Sequence, residues 1–267
     1  VVDNASQDGV ADAVGERYPE ALLIRNSQNA GFSAANNTGF LSSRGERILF
    51  SNPDIELTGE TLPTLLELLD RNPGVGACTP FLRLARTGKI DWGAHRGFPT
   101  PWAALTYFAG LARIFRRSRR LSRIFGRYHL LDRDLTKPHA VDAIRGGFFL
   151  VRRDVFEEAG HWDEDYFMFG EDLDLCYQIR RLGYDIMFYP QAEALHYHGM
   201  THGLKKHSQD LTPTDPEERD RTYNAFYDAM KIFYEKNYRS EYNGFVRWLV
   251  LTGIDVKKAL GARSKTV

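Results

Sequence analysis

Short apolar runs alternate with stretches of helical period along the first 80 residues. Val1-Val2 leads into the polar turn Asp3-Asn4-Ala5-Ser6-Gln7-Asp8-Gly9. This reads as a strand end and its loop, with residues 6–9 placed to cap a helix reaching Arg17 before Tyr18-Pro19 stops it. Residues 21–25 (ALLIR) predict a second strand. Small residues then flank Phe32 in NAGFSAANNTGF, with Ser33 as a helix cap. Such a composition suits either close helix–sheet packing or backbone approach to a ligand phosphate or sugar. Residues 47–51 predict a third strand, ending in Asn52-Pro53-Asp54. Leucines at 62, 65, 66, 68 and 69 predict a helix over 62–70, and residues 75–79 a fourth strand. Alternating strands and helices predict an α/β fold with a mainly parallel sheet and helices on both faces. Ligands then bind beyond the carboxyl ends of the strands, where Asp3 and Asp54 are expected on one edge.

The pattern is densest between Gly146 and Gly199. Gly170 precedes Glu171-Asp172-Leu173-Asp174, and Gly183 follows Arg180-Arg181, which sets the bounds of a helix. Leu175, Cys176, Ile179 and Leu182 repeat at helical spacing and face the core. Asp172 points inward with them, while Asp174 leans to the polar flank with Gln178 and Arg181. An inward carboxylate in a first turn either caps the helix against its dipole or does chemistry. Residues 186–190 predict a strand, and 192–195 a second extended piece ending at His196-Tyr197-His198-Gly199. Asp54 and His196, each at a strand end, form a plausible divalent-metal pair completed by ligand oxygens, with His198 or His202 as alternatives to His196.

Residues 83–140 show no clear period. Within them, residues 113–127 read RIFRRSRRLSRIFGR, with seven arginines and no acid. Leu121, Ile124 and Phe125 give an i, i+3, i+4 stripe, so a basic amphipathic helix is expected. It is read as a membrane-surface contact, as a solvated helix or loop, or as a lid over an acceptor cleft. Residues 205–220 are polar and form a flexible connection; 223–234 and 245–260 predict two amphipathic helices.

Composition narrows the classes. Lys and Arg number 35, as do Asp and Glu, so the net charge of zero gives no general pull towards nucleic acid. Cys78 and Cys176 sit in apolar contexts and read as reduced core residues. No run is long and apolar enough to span a membrane.

The motifs VVDNASQDG, NAGFSAANNTGF, SNPD, GGFFLVRRDVFEEAGHWDEDYFMFGEDLDLCYQIRRLG and ALHYHG occur in this order across residues 1–200. Together they resemble the inverting glycosyltransferases of family 2, of GT-A fold, nearest their bacterial rhamnosyltransferase-like branch. The resemblance implies a transferase domain over 1–204, with 83–140 as an irregular basic insertion and 205–267 as a helical appendage. It implies a nucleotide-diphosphate sugar donor, a Mg or Mn cofactor, and a glycan or lipid-linked glycan acceptor. Localisation would be cytoplasmic, peripheral at the inner membrane face. Asp172 would be the general base with Glu171 shaping the site, and Asp54 and His196 would hold the metal. Asp3, Asn4, Ser6, Asn29, Gly31, Asn52, Gly146 and Gly147 would line the donor site. Asn52 stands where many relatives carry an acid, leaving Asp54 with less charge around it. Beginning at Val1-Val2 without the family's preceding strand, the chain is expected to leave an unfilled sheet position there. A transferase-like domain that binds carbohydrate or a partner without turnover is the alternative.

Overall fold

The chain was analysed as a computed structural model, which describes residues 1–197 and 216–263. In chain order the elements are β1 (Val2–Asp3), α1 (Val10–Arg17), β2 (Ile24–Arg25), α2 (Phe32–Leu41), β3 (Arg47–Ser51), β4 (Ile55–Leu57), α3 (Thr61–Arg71) and β5 (Val75–Leu84). Then follow α4 (Pro101–Phe108), α5 (Leu111–Ile114), α6 (Arg119–Phe125), β6 (His139–Val141), β7 (Phe148–Arg152), α7 (Arg153–Glu158), α8 (Glu171–Arg181) and β8 (Asp185–His196). Helices α9 (Pro216–Asn237) and α10 (Gly244–Arg263) complete the described chain.

Six strands form the central sheet in the order β3-β7-β5-β8-β4, with β6 also paired to β8. The α/β layering matches expectation, but the sheet is mixed rather than mainly parallel. β5 and β8 are its one parallel pair of neighbours among the described residues; β3 runs in their direction, while β7, β4 and β6 each pair antiparallel to their neighbours. For β7 the reason is the long excursion after β5, which brings the chain back into the sheet at the end where β5 stopped, so that β7 runs back antiparallel. Strands β1 and β2 form a separate parallel pair, so Asp3 ends a strand of one sheet while Asp54 lies in a turn of the other. The expected second strand shrinks to Ile24 and Arg25.

β7 explains why the sheet is buried on both sides. Phe149 and Val151 point into one core with Trp162, Leu175, Cys176 and Ile179, under α7 and α8. Phe148 and Leu150 point into the other with Leu65, Leu69 and Leu82, under α3. That is the two-residue period of a strand, each face given its own helices. β8 is one strand, not two pieces. Its pairing with β5 slips between Pro80 and Phe81, and this irregularity accommodates Pro190 without ending the strand.

Helix α8 has the expected bounds, with Gly170 and Gly183 in left-handed conformation at φ 84° and 91°. Two details differ. Leu182 is partly exposed, and Asp174 is buried rather than on a polar flank. α9 covers that flank: Asn237 Nδ2 and the Tyr166 hydroxyl both donate to Asp174 Oδ1. Ser33 does not cap α2; Gly31 holds that position, and the Ser33 hydroxyl donates to the Tyr166 carbonyl from inside the helix. The arginine stretch is not one helix. Residues 115–118 interrupt it, and Ser118 caps α6. The 205–215 part of the expected connection, with His198 and His202, lies outside the described residues. Both cysteines are buried and free, as expected.

Phe149 has no exposed surface and packs edge-on to Trp162 at 5.2 Å between ring centroids. Phe149→Ala is expected to cost about 3–5 kcal/mol in denaturant unfolding. A loss below about 1 kcal/mol would show that the core around Trp162 rearranges freely.

Candidate active site

The site assembles at the carboxyl ends of β3, β5 and β8 around the loop 144–147. Antiparallel pairing of β4 with β8 sets Ile55 opposite His196, which brings Asp54 beside the histidine. Tyr197 N donates to the Asp54 carbonyl and locks this register. His196 Nε2 lies 3.5 Å from Asp54 Oδ2, and His196 Nδ1 lies 2.7 Å from Asp91 Oδ2. Arg145 Nη1 donates to the same Asp91 oxygen at 2.8 Å. Burial alone lowers the His196 pKa, but its bonds to Asp54 and Asp91 more than offset this and raise it. Burial likewise pushes Asp91 up, yet the His196 bond, the Arg145 charge and the Gly93 amide hold it below the usual carboxylate range.

One residue along from Arg145, the Gly146 amide donates to Asp172 Oδ2 at 3.2 Å. Arg96 Nη2 donates to the same oxygen at 2.7 Å and also to the Ile144 carbonyl. Asp172 Oδ1 accepts from the Leu173 amide. The inward carboxylate is therefore held on both oxygens by groups outside its own helix turn as well as within it. Arg96 reaches it because residues 96 and 143 form a backbone bridge, tying the irregular stretch to the strand that enters the loop. Burial holds the neighbouring His95 and His129 at about 4, so they are neutral at physiological pH and Arg96 carries the local positive charge. Glu171 is buried beside Asp172. Desolvation first, and the Asp172 charge second, push its pKa well above the ordinary 4.5. Among the described residues its Oε2 finds no hydrogen-bond partner.

Space is tight at the glycines 146 and 147. A Cβ on Gly146 would sit 3.1 Å from the Phe32 ring and 3.4 Å from Trp162; on Gly147 it would sit 3.2 Å from the Asn52 amide. Asn52 N donates to the Gly147 carbonyl, which ties the end of β3 to the loop.

The remaining expected donor-site residues form a second polar cluster. Asp3 Oδ1 accepts from the Ser6 amide. The Asn4 side chain bonds Asn26, Asn29, Ala30 and the Gly31 carbonyl. At Gly31, with φ 92°, a Cβ would fall 2.5 Å from the Phe167 carbonyl, so the close approach that demands glycine there is made by the protein itself. Helix α2 joins the two clusters, since Phe32 follows Gly31 and its ring abuts Gly146.

Sequence reasoning did not anticipate Asp91, Arg96 or Arg145. The first two lie in the aperiodic stretch, where no period marks an inward side chain. Arg145 was marked only by its place before Gly146-Gly147.

A divalent cation fits this chemistry. One carboxylate and one imidazole nitrogen converge, and the other imidazole nitrogen contacts a carboxylate, as oriented histidine ligands do. Among the described residues no group of three or more His, Cys, Asp or Glu could hold a metal. The described residues thus offer two donors, and oxygens of another group would complete the coordination.

The model of the family described as "Glycosyltransferase like family 2" matches residues 1–225. The chain belongs to that family. A relative named N-acetylglucosaminyl-diphospho-decaprenol L-rhamnosyltransferase, from Mycobacterium tuberculosis, is 26% identical over 99% of this chain and 83% of its own length. The low-salt glycan biosynthesis hexosyltransferase Agl10 of Haloferax volcanii is 25% identical over 89% of this chain and 66% of its own. Among solved structures, GalNAc-T7 with UDP, GalNAc and Mn2+ superposes with a TM-score of 0.54 at 15% identity. That match covers 87% of this chain but 43% of the neighbour, so the chain spans under half of it. Mannosyltransferase PcManGT from Pyrobaculum calidifontis, with GDP-Man and Mn2+, gives 0.50 at 17% identity over 97% of this chain and 76% of its own. The family 2 domain has the GT-A fold.

In this glycosyltransferase the buried Glu171 makes stability depend on pH. Its native pKa is raised, so the native state binds a proton that the unfolded chain releases near 4.5. Its contribution is complete below that value and is lost as pH rises through the native pKa. Glu171→Gln keeps the shape without the charge. It is expected to flatten the fall in unfolding free energy above about pH 5, measured by denaturant titration across pH. An unchanged slope would mean Glu171 is ionised in the native state.

Proposed function

We propose that the chain is an inverting, metal-assisted glycosyltransferase that moves a rhamnosyl or other hexosyl group from a nucleotide-diphosphate sugar to a lipid-linked glycan. The observation that carries this reading is the continuous hold from Asp54-His196-Asp91 through Arg145-Gly146 to Asp172. It joins Asp54 and His196, which would bind a cation, at one end to an oriented carboxylate at the other.

Asp172 is the base. It accepts the proton of the acceptor hydroxyl as that oxygen forms a bond to the anomeric carbon. The bond from the anomeric carbon to the diphosphate oxygen breaks on the opposite face, and the nucleotide diphosphate leaves with that electron pair. One displacement inverts the centre, through an oxocarbenium-like transition state such as glycosidases use. Asp54 and His196 would hold the divalent cation, whose chemistry is to neutralise charge on the departing diphosphate. The Arg145 guanidinium, 29% exposed in its side chain, adds a fixed positive charge on that side. Arg96 and the Gly146 amide position Asp172, and fixing the base in place lowers the cost of alignment at the moment of reaction. Asp3, Asn4, Ser6 and Asn29 form the polar cluster that would receive the nucleoside, with Asn52, Gly146 and Gly147 between it and the cation pair. The lipid-linked acceptor and the sugar are supported by the names of the mycobacterial and haloarchaeal relatives.

Asp172→Asn is expected to lower transfer by about 10²-fold or more, the scale of losing a positioned general base, with donor binding retained. Asp54→Ala is expected to remove the metal dependence of donor binding. Calorimetry with candidate nucleotide sugars, with and without manganese, measures binding; product formation measures transfer. Near-wild-type turnover in Asp172→Asn would place the base elsewhere. Donor binding without turnover in the unaltered chain, across donors and acceptors, would favour a non-catalytic carbohydrate-binding role.

A further inference from the structure

Helix α10 is amphipathic in the inverse sense. Three of its charged side chains turn towards α9: Arg247 pairs with Glu235, Asp255 with Lys231 and Lys258 with Asp228. Its outward face is apolar. Phe245, Trp248, Leu249, Val256 and Leu260 recur at helical spacing and are between 48% and 67% exposed. A helix on a water-facing surface shows the opposite arrangement.

This face continues onto the neighbouring helices. Lys257 Nζ lies 4.2 Å over the Phe108 ring, which places α10 against α4. Along α4, Trp102, Leu105 and Phe108 are exposed at three-residue spacing. Trp102 Nε1 donates to the Ile124 carbonyl, joining α4 to α6, where Leu121 and Ile124 are exposed in turn. Beside them opens a cleft of about 480 Å³ lined by Arg119, Arg120, Arg123 and Arg133, with Asp132 as its only acid. All seven arginines of residues 113–127 are exposed.

We infer that α10, α4 and α6 form one docking surface for an anionic lipid bilayer, with the arginine cleft seated on headgroup phosphates. Two features select this occupant. The exposed rings include Trp102, Tyr107 and Trp248, side chains suited to the headgroup level, where one edge is apolar and the other wet. The apolar face is also bordered by the exposed arginines of residues 113–127, with Asp132 the one acid lining the cleft, a cluster of one sign that complements anionic headgroups. No described helix is long and apolar enough to cross a membrane; the inferred contact is this face lying in the plane of the surface. The surface stands whatever sugar is transferred. It deepens the proposed function by holding the enzyme where a lipid-linked acceptor is presented.

The test is co-sedimentation of the purified chain with phosphatidylcholine vesicles, with and without phosphatidylglycerol, over a salt series. No sugar or acceptor is present, so the result is independent of the transferase reading. Binding is expected only with the anionic lipid and should weaken as salt shortens the reach of the attraction. Replacing Arg119, Arg120, Arg123 and Arg133 by Ser should lower affinity by about a hundredfold or more. Trp248→Ser should lower it with circular dichroism unchanged. In the unaltered chain, tryptophan emission should be quenched by brominated phosphatidylglycerol, which needs no variant. Failure to bind anionic vesicles at low salt, or affinity indifferent to both sets of changes, overturns the inference. So does reversible self-association that Trp248→Ser abolishes in a chain that ignores vesicles.

Discussion

The contact on which the candidate site depends is the buried pairing of Asp172 with Arg96 at 2.7 Å. Their side chains are 11% and 12% exposed, so both charges have left water, and each would be costly alone. The pair forms because Arg96 is laddered to residue 143 and Asp172 opens α8, two parts of the chain 76 residues apart. The Gly146 amide completes the hold, and the absence of a side chain there lets that amide approach without pressing on Phe32 and Trp162 behind it. Packing around Trp162 and the geometry of the carboxylate are thus one problem. Phe32, Phe50, Phe149 and Phe156 all meet the Trp162 ring within 6.2 Å, and they fix the wall against which the loop sits.

The other end of the loop sets the second half of the site. Arg145 cannot move far without breaking its bond to Asp91, and Asp91 orients His196 towards Asp54. Four charged side chains and one histidine, from Asp54 to Asp172, are therefore connected through one short backbone segment. This coupling fits a reaction in which proton removal and departure of a charged leaving group occur together.

Where residues repeat at the period of their element, the sequence was a sufficient guide. The start and stop of α8, the inward turn of Asp172 and the strand β3 leading to the turn at Asp54 all follow from glycine placement and apolar spacing. Asp54 and His196 could be nominated as a pair by residue type, but their proximity comes from β4 pairing with β8, which three residues of Ile55-Glu56-Leu57 do not announce. Asp174 was read to the polar side because α9, which covers it, lies more than 60 residues away along the chain. The mixed sheet was illegible for a related reason: strand direction depends on where the aperiodic residues 85–138 return the chain. Arg96 and Asp91 belong to that same stretch. Similarly, zero net charge conceals a segregation, with acids gathered at the start of α8 and arginines gathered around α6.

The account centres on a single displacement driven by one carboxylate, and stereochemistry reports on that most directly. Proton NMR of the initial product, formed from a donor the enzyme turns over, assigns the configuration of the new anomeric centre before any equilibration. The account predicts the configuration opposite to that of the donor sugar. A product with the donor's configuration retained would contradict it, because no single in-line attack with Asp172 as base could produce that outcome.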